Sequence, residues 1–363
     1  MGKRKALLIG PLPPPIGGDT VSTLNLLSSR YWGECGIDVI HINTAGMSRV
    51  RLPTEGITPR DLFRGFRILV QFLWKLPRAG VVLLWANSRF VCTLGLSIIL
   101  VSILMRKPVI VKVFGAFLAE RIRRLHRPWR TLTIYMLRKA RYVLPETKRL
   151  TGELEEEIGL SASRVVIFPS FFPDSAFHGD FAKKSFSGNC VFVGQVKREK
   201  GVFDIIEALG DKDGYRCDFY GQIAERDRDS FMKEISSYDN LNYHGVLRPE
   251  EVHSLIGGYD VLLLPTYHPG EGYPAIILET FAAGVPVIAS DWLSIPDLVL
   301  DGVRGVLVPI KSPGSIEQAL GRLESDSEFY ESMARNSFEY AKSFSEKKVV
   351  RDILVERVIE LFG

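Results

Sequence analysis

The chain has 363 residues, 46% of them hydrophobic and 24% charged. That balance is that of an ordinary globular protein and does not indicate disorder, and the length exceeds the ~250–300 residues at which single cores stop growing. The formal net charge of +4 conceals an asymmetry: residues 1–170 carry 26 Lys and Arg against 11 Asp and Glu, whereas residues 171–363 carry 20 against 31. Two halves of opposite sign fit two domains with different ligands.

Four cysteines (Cys35, Cys92, Cys190 and Cys217) show neither metal-like nor disulfide-like spacing, which fits a reducing, cytoplasmic setting. The opening MGKRKALLIGPLPPP breaks at once into a Gly/Pro loop and reads as a first strand rather than a signal peptide. Short β-branched runs then alternate with helical patterns. Strands are expected at 5–9, 38–43, 81–86, 108–114 and 141–145, with helices at 20–32, 62–76, 89–104 and 128–139. The apolar run from Phe90 to Met105 is short for a membrane span of ~20 residues and is interrupted by Ser97 and Ser102. It reads as a buried or membrane-facing helix.

A helix at 152–160 and a strand at 164–169 follow. Residues 170–184, with Pro173 and several aromatics, are the expected interdomain connection. The second half repeats the alternation: strands at 189–193, 215–220, 241–243, 260–264, 286–289 and 306–308, helices at 201–209, 249–256 and 274–283, then helices over most of 315–362. This pattern predicts parallel sheets covered by helices on both faces. The boundaries are placed at 1–170 and 171–344.

Four segments carry candidate chemistry. In HPGEGYPAIILETFAAGVPVIAS (268–290), Glu271 and Glu279 bracket seven residues. Pro274 is expected as the first helical residue, where its missing N–H costs nothing. Glu271 then lies on the loop before the helix, Glu279 lies inside it, and the amides around Gly272, Tyr273, Ala275 and Ile276 form a site for phosphate oxygens or sugar hydroxyls. Two glutamates near a helix start also have a purely structural reading. In FVGQVKREKGVFDIIEAL (192–209), Lys197, Arg198 and Lys200 follow a strand and open a helix. Lysine is unfavourable at that end of the helix dipole, so an anion there would relieve the conflict; the alternative is an exposed basic turn. The loop GPLPPPIGGDT (10–20) brings Gly17 and Gly18 to a helix start with Asp19 or Thr20 near its N-cap, without a Walker or GxGxxG pattern. Gly245, Val246, Leu247 and Arg248 follow a strand and either line a base or sugar pocket or form a simple turn. His268 beside the glutamate motif is read as a surface or structural residue with occasional ligand contact. No cluster has metal-ligand spacing.

Taken together, these segments resemble the family 4 nucleotide-sugar glycosyltransferases of the GT-B fold, most strongly over 188–309. Glu271 and Glu279 meet the E-x7-E signature, YDVLLLPT (259–266) resembles the strand before it, DGVRGVLVP (301–309) the stretch after it, and PPIGG (14–18) the first glycine loop. The resemblance implies an α/β architecture of two Rossmann-like domains facing a deep cleft, with the C-terminal helix, residues 345–363, packing back on the first domain. It implies a C-terminal domain that takes a nucleotide-diphosphate sugar of UDP or GDP type, an N-terminal domain that takes the acceptor, and no further cofactor or metal. It assigns Glu271 to the transferred sugar, Glu279 to the nucleotide ribose, Lys200 to the donor diphosphate and Gly18 to a position near the phosphates.

Three departures stand out. Gln195 occupies a place where the family often has Arg, leaving Lys197 or Arg198 to supply the second positive charge. Phe114-Gly115 stands where the family often has His-Gly. Leu293-Ser294 replaces a Gly-Gly pair. The implied function is retaining transfer of a hexose-like unit to a glycan or polyprenyl-diphosphate-linked acceptor in surface polysaccharide assembly. The basic N-terminal half suggests peripheral contact with an anionic membrane on its cytoplasmic face through residues 90–130, and no motif supports nucleic-acid binding. The rivals are a nucleotide-sugar epimerase of the same fold, a noncatalytic polysaccharide-assembly protein with a decayed site, and a phosphorylase-like enzyme.

Overall fold

In the computed structural model, strands form where the β-branched runs are unbroken, and the structure describes residues 4–14, 17–45, 59–115, 117–174 and 185–362. The chain divides into two compact units, 1–171 with 346–363, and 172–345.

The first unit contains β1 (Arg4–Gly10), α1 (Gly18–Leu27), α2 (Arg30–Glu34), β2 (Ile37–Asn43), α3 (Pro59–Lys75), β3 (Val81–Asn87), α4 (Ser88–Val91), α5 (Leu94–Leu104), β4 (Val109–Phe114), α6 (Leu118–Arg124), α7 (Arg127–Lys139), β5 (Tyr142–Leu144) and α8 (Lys148–Gly152). Its sheet is parallel with order β2-β1-β3-β4-β5. β3 and β4 are apolar along nearly their whole length because helices cover both faces. Residues 347–360 form a π-helix followed by a short α-helix. Val349, Val350, Leu354, Val355 and Val358 of this segment pack with Ala6, Leu8, Trp32 and Trp85. The close approach is tight at Gly80, where a Cβ would lie 2.3 Å from the Phe362 ring.

The second unit contains β6 (Asn189–Val193), α9 (Val202–Leu209), β7 (Arg216–Tyr220), α10 (Arg228–Ile235), β8 (Leu241–Gly245), α11 (Pro249–Ile256), β9 (Val261–Leu264), α12 (Ala275–Ala282), β10 (Val287–Ser290), α13 (Ile295–Leu298), β11 (Gly305–Val308), α14 (Pro313–Ser325) and α15 (Ser327–Ala341). Its parallel sheet runs β11-β10-β9-β6-β7-β8. That is the doubly wound order in which the direction of winding reverses between β6 and β9, and ligands of such sheets bind outside the carboxyl ends of the strands at that switch point.

Several expected elements differ. The helix expected over 20–32 is broken at Ser28-Ser29, and the one over 89–104 is broken at Cys92-Thr93, where Thr93 leaves helical geometry (φ −125°, ψ −102°). No strand forms over 164–169: Val165 makes one isolated bridge to Val143, because β5 is only three residues long and offers little edge to extend. α6 and α10 were not expected. Their polar, Arg-rich or acidic faces dilute the apolar period. The connection expected over 170–184 lies outside the described residues beyond Asp174, as do Pro15 and Ile16 of the first glycine loop. Among the described residues no helix is long and apolar enough to cross a membrane.

Candidate donor site

Two loops meet at the switch point of the second sheet. β6 ends at Val193 and leads through Gly194 to a tight turn, Arg198–Lys200, before α9. β9 ends at Leu264 and leads through Pro265 and Thr266 to a turn closed by Glu271 N donating to the His268 carbonyl at 3.0 Å. β6 and β9 are sheet neighbours, so the loops after them are adjacent.

The backbone then binds the loops together. Tyr267 N donates to the Glu199 carbonyl at 2.8 Å. Gly201 adopts φ +76°, and a Cβ there would lie 2.3 Å from the Pro265 carbonyl oxygen. Only glycine satisfies both the left-handed conformation and the close approach.

The result is a short contact between Lys200 Nζ and Glu271 Oε2 at 2.5 Å, with both side chains largely buried. Thr266 Oγ1 donates to the same carboxylate oxygen at 2.9 Å, and His268 N donates to Thr266 Oγ1 at 3.2 Å. Ser290, at the end of β10, donates to the Thr266 carbonyl, and Trp292 Nε1 donates to the His268 carbonyl at 3.0 Å. The carboxylate is thus held by a cation and a hydroxyl that are themselves anchored to three strands.

The three basic residues of the turn diverge. Lys200 faces Glu271. Lys197 Nζ lies 3.4 Å from the ring nitrogens of His268. Burial, reinforced by Lys200, pushes the Lys197 ammonium below its ordinary range. Burial together with Lys197 and Lys200 does the same to His268, favouring the neutral imidazole. Arg198 turns away: its guanidinium lies over the Phe203 ring at 4.0 Å, and its backbone N–H is taken by Asp227.

Pro274 is the residue before α12 rather than the first helical one. Its ψ of 105° is extended, and the helix opens at Ala275. Glu279 lies one turn further into α12, half-buried, and burial pushes its carboxyl up to about 7. Gly272 and Tyr273 complete the turn before the helix, with the Tyr273 ring 6.5 Å from that of Phe344. Gly245 takes φ +85° at the end of β8 and accepts Gly221 N at 2.7 Å. Arg248 is exposed and paired with Glu251 at the start of α11. Leu293 adopts φ +51°, a left-handed conformation at the position where the sequence departs from Gly-Gly.

In the first unit Gly17 is the N-cap of α1, its amide donating to Thr20 Oγ1 at 2.9 Å, and Gly18 is exposed as the first helical residue. Phe114 is buried at the end of β4. The following Gly115 (φ +80°) donates to Glu146 Oε2 at 3.3 Å, and the other Glu146 oxygen lies 3.2 Å from Lys112 Nζ. Lys112 is fully buried, which lowers its pKa against the opposing attraction of Glu146, and it donates to the Phe168 carbonyl.

Sequence reasoning gave no role to Thr266, Trp292, Ser290, Lys112 or Glu146. A lysine inside the apolar strand VIVKVF was the one visible signal, since an unpaired buried charge is too costly to persist. Thr266 had only its place at a strand end.

This arrangement of two doubly wound parallel units, with a Lys–Glu pair at one switch point, defines a GT-B-type protein. Solved structures bear out the fold over the whole chain. A glycosyltransferase from Rickettsia africae ESF-5 superposes with a TM-score of 0.78 at 14% identity, covering 100% of both chains. Anabaena Alr3699/HepE, solved in complex with UDP-glucose, gives 0.72 at 14% identity over 98% of this chain and 99% of that one. Residues 179–340 match the family model of the glycosyl transferases group 1. Among curated relatives, the alpha-D-kanosaminyltransferase of Streptomyces kanamyceticus is 26% identical over 218 residues, 56% of this chain and 56% of the relative. The chain spans between 22% and 56% of the length of the first curated relatives it matches.

Proposed function

We propose that the protein is a retaining glycosyltransferase that moves a hexose-like unit from a nucleotide-diphosphate sugar to a glycan or polyprenyl-diphosphate-linked acceptor in surface polysaccharide assembly. The observation that carries this reading is the Lys200–Glu271 pair at the switch point, inside the segment that matches the family. The UDP-glucose in Anabaena HepE favours a UDP-type donor.

The second unit takes the donor and the first the acceptor. Lys200 and the opening amides of α12 receive the diphosphate, so that charge developing on the leaving oxygen meets a cation already in place. Lys197 supplies the second positive charge, since Arg198 is committed to Phe203. Glu271 orients the transferred sugar through its hydroxyls. Glu279 accepts from the ribose, and Gly245 with Arg248 borders the base. In the reaction the acceptor oxygen bonds to the anomeric carbon on the face from which the diphosphate departs, the carbon–oxygen bond to the diphosphate breaks, and the acceptor's proton passes to the departing phosphate oxygen. The acceptor lies at the cytoplasmic face of a membrane, to which the basic first unit attaches peripherally.

The test is incubation with a panel of nucleotide sugars and a membrane lipid extract, with mass analysis of the products. Acceptor-dependent addition of one hexose mass supports transfer. Release of an epimerised free sugar, or no turnover and no donor binding with every nucleotide sugar, overturns it in favour of an epimerase or a noncatalytic assembly protein.

A further inference from the structure

Among the described residues of the first unit, the larger exposed apolar face is on α3 rather than on the run at 90–105, where Leu100, Leu104 and Met105 are the exposed apolar side chains. In α5, Leu96, Ile98 and Ile99 are buried. In α3, Gly65, Ile68 and Phe72 face the core, yet a second apolar set faces outward: Phe63 is 70% exposed, Phe66 67%, Leu62 and Trp74 64%, Leu73 53% and Val70 49%.

At about 100° per residue these six side chains fill one arc of roughly 120° on the helix. Arg67, Arg60, Arg64 and Lys75 follow on the adjoining arc, before the buried face begins. The last turn adds Arg78, whose guanidinium lies 4.4 Å from the centre of the Trp74 ring. A soluble surface rarely presents so continuous an apolar strip. An apolar arc bordered by cations, with Trp and Arg at one end, is the pattern of a helix lying in the plane of a bilayer interface.

We propose that the outer face of α3 is a docking surface for an anionic lipid bilayer, with Phe63, Phe66 and Trp74 entering the headgroup–acyl boundary and Arg60, Arg64 and Arg67 meeting lipid phosphates. Charge complementarity selects this occupant. The arginines beside the strip, and the basic surplus of residues 1–170, match a negatively charged surface and would repel a second copy of themselves. The inference deepens the membrane part of the proposed function. It does not require sugar transfer, because its experiment reads binding alone.

The full chain is sedimented with vesicles of phosphatidylcholine, with and without about 30 mol% phosphatidylglycerol. Binding is expected with the anionic vesicles and to fall steeply with salt. Phe63→Ser combined with Phe66→Ser is expected to reduce binding at least tenfold, and Arg64→Glu combined with Arg67→Glu to abolish it. These side chains are exposed, so circular dichroism and the thermal midpoint should be unchanged. Bromine-labelled acyl chains are expected to quench tryptophan fluorescence in the parent chain and not in Trp74→Phe beyond the remaining background. Failure to bind anionic vesicles, or binding unaffected by the α3 substitutions, overturns the proposal. So does a concentration-dependent dimer that Phe63→Ser/Phe66→Ser converts to monomer, because the strip's occupant is then a second copy. Loss of hexose transfer with vesicle binding intact would instead overturn the proposed function and leave the docking surface standing.

Discussion

Lys200 Nζ and Glu271 Oε2 lie 2.5 Å apart although 71 residues separate them in the chain. The contact exists because β6 and β9 are neighbours at the point where the sheet reverses its winding, and because Gly201 lets one loop press against the Pro265 carbonyl of the other. The Lys200 cation is held in place by a carboxylate. Under the proposed function, donor binding exchanges one anionic partner for another rather than ordering a free lysine.

Lys200→Met is expected to reduce transfer by about 100-fold or more, the usual loss when a preorganised stabiliser of developing charge is removed. It also leaves Glu271 buried with only the Thr266 hydroxyl. Glu271→Gln keeps the shape and the Thr266 contact and is expected to lower kcat more than donor affinity. Steady-state kinetics and calorimetric titration with UDP separate the two effects. Unchanged turnover in Lys200→Met would remove it from the site.

If Glu279 accepts from the ribose as proposed, donor affinity and stability are expected to depend on pH in opposite senses. Burial raises its carboxyl from 4.5 to about 7, so the folded chain holds a proton that the unfolded chain has released. The stability from this group is fully present below about 4.5 and is lost as pH rises through 7. A tenfold change in proton affinity is worth about 1.4 kcal/mol, and partial solvent contact brings the expected total to about 1–2 kcal/mol. Glu279→Gln should flatten the pH dependence of the denaturation midpoint between roughly pH 4.5 and 7. A ribose-accepting carboxylate should also bind UDP more tightly as pH passes 7, and Glu279→Gln should lose that rise. A parallel pH profile in both proteins would refute the ribose assignment.

Lys112 and Glu146 hold the turn after β4 from inside. Removing one partner strands a buried charge, so Lys112→Met and Glu146→Gln are each expected to cost about 3–5 kcal/mol. The double variant should recover much of that loss, because neither charge remains to be desolvated. Chemical denaturation of the four proteins forms the double-mutant cycle, and strictly additive losses would show that the pair is not coupled.

Gly201→Ala is expected to destabilise the second unit by about 2 kcal/mol or more, from the strained φ of +76° and the clash with Pro265. Because this contact sets the distance between Lys200 and Glu271, donor affinity should fall further than stability alone explains. Calorimetry well below the denaturation midpoint distinguishes the two contributions.

The repeated strand–helix alternation was legible in the sequence because each buried strand of a parallel sheet must be apolar on both faces, as VVLLW and VLLL are. The E-x7-E spacing was legible through the family resemblance, and the basic turn because cations at a helix start are a local conflict. Three things were decided only by tertiary structure. Thr266 and Trp292 became part of the Glu271 setting because strand order, which no local pattern encodes, placed the ends of β6, β9 and β10 together. Arg198 turned away from Lys197 and Lys200 because Phe203 and Asp227 lay within its reach. The outward face of α3 could not be told from its inward face, since both are apolar in the sequence. Only the packing of Ile68 and Phe72 into the core left Phe63, Phe66 and Trp74 outside. Residue type alone determines which side chains prefer burial, but a finite sheet can cover only one side of a helix.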